Sequence, residues 1–178
     1  MKLTTRARYG TRALLDIALS PTQPVQLKNV AERQGISKKY LEQLLAPLRD
    51  AGLLQTVRGP AGGYQLARPL TELRLGEVLR ILEGPLELTD CVADDQTCLR
   101  SAQCAARQIW QTLSAAMEQC LDRMTLADLL SIHSRLASGD AEPDATAAAA
   151  PPAPASPGRT ARRQTTGHFC HPRPVGPG

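Results

Sequence analysis

Apolar residues return every three or four positions along most of the chain up to residue 136, which is the spacing of one helical face. In "RARYGTRALLDIALS" the face is Ala13, Leu14, Ile17 and Ala18, with Thr4 or Thr5 placed to cap its start and Pro21 following its end. "QLKNVAERQG" puts Leu27, Val30 and Ala31 together, with Gly35 as the stop. "ISKKYLEQLLAPLRDAG" opens on Ser37 as an N-cap, carries the stripe Leu41, Leu44, Leu45 and Leu48, and ends at Gly52. Pro47 lies inside this third helix and removes one of its hydrogen bonds. The period then changes. Two short runs, Leu53–Val57 and Tyr64–Ala67, flank Gly59-Pro60-Ala61-Gly62-Gly63, the pattern of a β-hairpin with a glycine-rich tip.

Helical spacing resumes in "LRLGEVLRILEG", with Leu75, Val78, Leu79 and Leu82 inward. A cysteine-bearing stretch, read as a loop, separates it from a long helix. That helix is predicted to be capped by Ser101 and to run from Ala102 to about Arg123. Ile109, Leu113, Ala116, Met117, Cys120, Leu121 and Met124 form its broad apolar stripe, which makes Cys120 a residue of the core or of a dimer seam. Thr125 with Asp128 at N3 starts a final helix through Leu136. The fold class is therefore mainly α with a small β-hairpin wing: a winged helix-turn-helix plus a long helix. The expected organisation is a DNA-binding unit over 1–84, a cysteine loop over 85–104, the long and final helices over 105–136, and a disordered Ala/Pro-rich tail over 137–178.

Composition agrees with packed helices. One Trp, three Tyr and one Phe leave the core to Leu, Ile, Val and Ala. No stretch approaches the roughly 20 apolar residues of a membrane span, and the basic start is not followed by the apolar run of a secretory signal. These features predict a cytoplasmic protein whose thiols stay reduced. Charge is segregated. Residues 1–70 hold 11 Lys/Arg against 4 Asp/Glu, whereas residues 71–136 hold 6 against 10. A basic front half points to a polyanionic partner for that half alone, against the plainer reading of a solvated basic surface.

The short turn "QGIS" between the second and third helices contains the glycine of a helix-turn-helix. The third helix then presents Ser37, Lys38, Lys39, Glu42 and Gln43 away from its leucines. Gln and Glu are side chains that read base edges, while Lys39 and Tyr40 suit phosphates. In the hairpin, Gly59, Gly62 and Gly63 let backbone lie close to DNA, and Arg58 can enter a minor groove. Double-stranded DNA is the partner this arrangement predicts.

The second constellation is "CVADDQTCLRSAQCAAR": Cys91, Cys98 and Cys104, separated by six and five residues. These gaps are too long for one helical face, so the segment must loop around what it holds. Three thiolates on such a loop suit an iron–sulfur cluster, or zinc with a fourth partner. The remaining readings are a thiol switch and inert cysteines. Predicted at N3 of the long helix, Cys104 would face unpaired amides that favour a thiolate. Cys170, between His168 and His171 in the tail, is read as incidental. No GxSxG, Walker loop or HExxH appears, and His133 is the single histidine before the tail, so no enzyme is predicted.

Together, "MKLTTRARYGTRALLDIAL", "VAERQGISKKYLEQLLAPLRDAGLL", "VRGPAGGYQLA" and "LGEVLRILEG", followed by the spaced cysteines, resemble the IscR-like family of bacterial winged-helix transcriptional regulators over residues 1–136. The resemblance implies a homodimer built on the helix after the cysteines, and promoter binding, with repression the expected effect. It implies a cluster at Cys91, Cys98 and Cys104, with 2Fe–2S favoured over 4Fe–4S. One departure stands out. The family's iron–sulfur assembly regulator has a ligating histidine three residues after the last cysteine, where this chain has Arg107. The acidic ligand that other relatives supply near the N-terminus is matched here by Arg6 and Arg8. The fourth ligand is thus unassigned, with Asp94, Asp95, a small thiol, water or no ligand at all as the alternatives. Some relatives lack a cluster and answer to a partner enzyme of cysteine synthesis.

Overall fold

The computed structural model describes residues 3–139. Residues 140–178, which hold most of the expected tail with Arg159, Arg162, Arg163, His168, Cys170 and His171, lie outside the described residues. The architecture is a three-helix unit, a two-stranded hairpin, a fourth helix, the cysteine segment and two closing helices.

Helix α1 (Thr5–Leu19) starts where the Thr4 hydroxyl accepts the backbone N–H groups of Arg6 and Ala7. Thr4 also donates through both its N–H and its hydroxyl to Glu83, fixing the start of α1 to the end of the helix that follows the hairpin. Helix α2 (Leu27–Gln34) ends at Gly35 in the left-handed conformation, and α3 (Lys38–Asp50) begins after Ser37, whose hydroxyl accepts the Tyr40 N–H at 3.1 Å. The strands β1 (Leu54–Val57) and β2 (Gly63–Leu66) pair antiparallel in the register Leu54↔Leu66 to Val57↔Gly63. Val25 adds a third edge by exchanging hydrogen bonds with Tyr64, 2.8 Å and 2.9 Å long. Helix α4 (Leu75–Glu83) follows the hairpin.

One core holds these elements together. Leu14, Ile17, Val30, Leu41, Leu45, Leu48, Leu53, Leu73, Val78 and Leu126 are all fully buried in it. Burying a leucine of this kind contributes about 1.5–3 kcal/mol, so the predicted stripes are what holds the unit together. A smaller cluster, Ala7, Leu79 and Leu86, receives Met117 and Leu121.

Three sequence expectations shift. The long helix α6 spans Ala105–Arg123, not Ala102–Arg123. Residues Ser101–Gln103 form a 3-10 turn, and the Ser101 hydroxyl donates to the Asp95 carbonyl instead of capping the helix. Cys104 is consequently the N-cap, in extended conformation, and not N3. The cysteine segment is not all loop: it contains a short helix α5 (Asp90–Ala93) and a second 3-10 turn, Asp95–Thr97. Finally, α7 (Leu126–Ser138) continues two residues past Leu136 into the stretch assigned to the tail. The capping box at its start is formed as predicted, with Asp128 accepting from Thr125 and the Thr125 hydroxyl accepting the Asp128 N–H.

The α6 stripe divides in two. Met117 and Leu121 pack toward α4, while Ile109, Trp110 and Leu113 are 57, 39 and 47% exposed and Cys120 is exposed. Ser114 is the one buried residue of α6, and it is polar. Ion pairs from Arg80 to Asp122 and Glu118 brace α4 on α6. Leu75 and Leu126 lock the α6–α7 corner by donating their N–H groups to Met124 and Leu73.

Candidate nucleic-acid interface and cysteine segment

Helix α3 is divided by its own periodicity. Leu41, Leu44, Leu45 and Leu48 are buried, and Ser37, Lys38, Lys39, Glu42 and Gln43 are exposed. The side chains of Lys38, Lys39, Glu42 and Gln43 make no hydrogen bond or ion pair to any other described residue. They are uncommitted, as a surface that must pair with bases and phosphates requires. Tyr40 differs from its neighbours. It is half-buried, and its ring meets Tyr9 of α1 edge-on at 6.4 Å, with the Arg12 guanidinium 5.5 Å from the Tyr9 ring centroid. Its ring therefore fixes α3 against α1, a role that residue type alone did not reveal.

Helix α2 is held in place from behind. Arg33 donates through its Nε and a terminal nitrogen to Asp16, and Gln34 Nε2 donates to the same carboxylate at 2.8 Å. This bidentate pair raises the Arg33 pKa, first through the hydrogen bond and then through the charge of Asp16. It sets the angle between α1 and α2, and hence the position of the turn that launches α3.

The wing projects beside α3. Arg58 is exposed at the end of β1, and Gln26 Nε2 ties the tip by donating to the Pro60 carbonyl at 3.3 Å. Gly59 has φ 121°, a conformation other residues rarely adopt. The other two glycines answer to contacts within the chain. A Cβ on Gly62 would lie 2.2 Å from the Val57 carbonyl oxygen, and one on Gly63 would lie 2.1 Å from that of Val25. The hairpin needs them in order to close, whatever it approaches.

In the cysteine segment the thiols are free. Cys91 and Cys104 are half-buried, and Cys98 is exposed. The Cys91 sulfur lies 3.3 Å from the Thr89 hydroxyl. Among the described residues no three His, Cys, Asp or Glu side chains converge on one point, so the three cysteines are neighbours in sequence without being gathered. As donors they fit a thiophilic group, being three cysteines outside any disulfide on one short segment. Asp94 is already occupied, accepting from the Gln96 N–H and the Thr97 hydroxyl. Arg107 Nε donates to the Cys91 carbonyl at 2.6 Å, and Ser114 accepts the Leu88 N–H at 3.1 Å. Sequence reasoning missed both contacts. The signal available was their seven-residue spacing, which places them on one face of α6.

Among the described residues no helix is long and apolar enough to cross a membrane. Comparison with known families matches residues 3–132 to Rrf2, described as an iron-dependent transcriptional regulator. The protein rrf2 of Nitratidesulfovibrio vulgaris is 47% identical over 131 residues, covering 73% of this chain and 87% of that protein. Among solved structures, CymR, the global cysteine regulator of B. subtilis, superposes with a TM-score of 0.64 at 35% identity, covering 74% of this chain and 97% of that one. IscR of T. potens gives 0.59 at 39% identity, covering 74% and 87%. With the exposed face of α3, the wing beside it and a family match that runs from before α1 into α7, the chain belongs to the Rrf2 family of transcriptional regulators.

Proposed function

We propose that this regulator binds promoter DNA as a homodimer in the cytoplasm, acts as a repressor, and tunes its affinity through an iron–sulfur cluster held by Cys91, Cys98 and Cys104. The observation that carries the DNA reading is the exposed face that opens at Ser37 and runs along α3, with the uncommitted side chains of Lys38, Lys39, Glu42 and Gln43, beside a wing that carries exposed Arg58. Bound there, a cluster would supply redox and oxygen sensitivity, with 2Fe–2S favoured. The chain's own part is mechanical. The cysteine segment joins α4, which is packed into the DNA-binding core, to α6, whose exposed Ile109, Trp110 and Leu113 offer a seam for a second copy. Drawing three thiols together reorders that segment. The relation between the DNA-binding unit and the dimer seam changes with it, and so does the spacing of the two α3 helices. Arg107 cannot serve as fourth ligand, because a guanidinium offers donors and no acceptor.

A second reading keeps the DNA binding and replaces the cluster with a thiol or zinc switch, or with control by an enzyme of cysteine synthesis. The likeness to a cysteine regulator favours it. Anaerobic purification with iron and acid-labile sulfide counted per chain separates the two. Visible charge-transfer bands with about two or four irons and matching sulfide support the cluster. A colourless chain without iron or sulfide supports the second reading. Operator binding by each form then shows whether the state of the cysteines changes affinity.

A further inference from the structure

We infer that Arg107 is a positioning residue for Cys91: it holds the Cys91 end of the cysteine segment against the first turn of α6, so that Cys91 and Cys104 are presented from one helix end. The inference rests on the reading of these cysteines as ligands. Arg107 Nε reaches the Cys91 carbonyl at 2.6 Å, across sixteen residues of sequence, and the bond is partly buried. It is short and charge-assisted, the stronger class of protein hydrogen bond. Cys104 is the N-cap of α6, three residues before Arg107, and so sits on the turn that carries the guanidinium. Two turns further on, Ser114 is 4% exposed and accepts the Leu88 N–H at 3.1 Å. The two side chains thus grip the segment at residues 88 and 91 along one face of α6.

Cys98 lies between these ends and is exposed, and the turns around it are closed by local bonds such as Ser101 N–H to the Cys98 carbonyl at 3.0 Å. The segment therefore has two ligands seated on α6 and one on the span between them. Arg107 stands where the family resemblance leads one to expect a histidine ligand. Here the residue carries out a different task, holding a ligand's backbone instead of donating to the metal.

The test uses the full chain, reduced and metal-free, with Arg107→Ala and Arg107→Lys beside wild type. Iodoacetamide labelling is followed cysteine by cysteine with mass spectrometry, and exposed Cys98 and Cys120 serve as internal references. Losing a charge-assisted bond predicts about tenfold faster labelling of Cys91 relative to Cys98 in R107A, with R107K close to wild type. After cluster reconstitution, R107A should lose iron to a chelator about tenfold faster, followed by visible absorption. An unchanged Cys91 rate overturns the anchor. So does equal acceleration of Cys98, which would mean a generally loosened segment. A wild-type chain that holds no iron or sulfide after anaerobic purification overturns the ligand reading instead, whatever the labelling shows.

Discussion

Replacing Gly63 by alanine tests why the wing carries glycines. The added Cβ would meet three backbone atoms: the Val25 carbonyl oxygen at 2.1 Å, its carbon at 2.5 Å and the Gln26 nitrogen at 2.9 Å. No rotamer relieves a clash between backbone and Cβ, so β2 must move away from Val25. That move strains the two bonds exchanged by Val25 and Tyr64, 2.8 Å and 2.9 Å long. Both residues are buried, 5% and 7% exposed, so water does not readily replace what is lost. Overpacking costs about 1–3 kcal/mol and straining the two bonds without breaking them adds about 1 kcal/mol between them, which together give a loss near 3 kcal/mol. Urea unfolding followed by circular dichroism, at one fixed protein concentration, should show the midpoint falling by roughly 1–2 M. Stability within about 0.5 kcal/mol of wild type would refute the steric argument. Reduced operator affinity at unchanged stability would mean that Gly63 is needed for DNA approach, as sequence reasoning first suggested.

Four further outcomes follow from the structure. Lys38→Ala and Lys39→Ala, each present twice in the dimer, should each lower the salt dependence of DNA affinity by about two units of log–log slope, measured by fluorescence anisotropy across salt concentrations. Gln43→Ala should instead relax preference at a single base pair by about 1–3 kcal/mol, and a uniform loss across operator variants would contradict base readout. Leu113→Asp, on the exposed α6 stripe, should yield a monomer in analytical ultracentrifugation, and a retained dimer would place the interface elsewhere. Hydrogen bonds from the Thr125 hydroxyl and then from its backbone hold the Asp128 carboxyl below its ordinary pKa. Its contribution is present above the unfolded value and fades as pH falls through the depressed one. Thr125→Ala should therefore cost about 1 kcal/mol near neutrality, and a gap in thermal stability that does not shrink below about pH 4 would refute this.

Much of the fold was legible because it rests on local rules. The leucine spacing of α3, Ser37 as its cap, Gly35 as the stop of α2 and the capping box of Thr125 and Asp128 are each set by residues within one or two turns. The hairpin was legible from its change of period and its glycines. The start of α6 was misplaced because Ser101 is a competent cap by type, yet its hydroxyl is taken by the Asp95 carbonyl in a turn that no helical periodicity announces.

By itself, then, the sequence determined the helical stripes, their caps, the exposed face of α3 and the presence of three spaced thiols. Only the tertiary structure decided which partner each residue meets. Tyr40 belongs against Tyr9, Gly63 against Val25, and Arg107 against the carbonyl of Cys91. The apolar stripe of α6 divides because α4 covers Met117 and Leu121 and leaves Ile109 and Leu113 outside. The physical reason is the reach of the interactions. Periodicity and capping act within one or two turns, whereas the contacts of Tyr40, Gly63 and Arg107 join residues 16 to 38 positions apart, placed together only once the helices have packed.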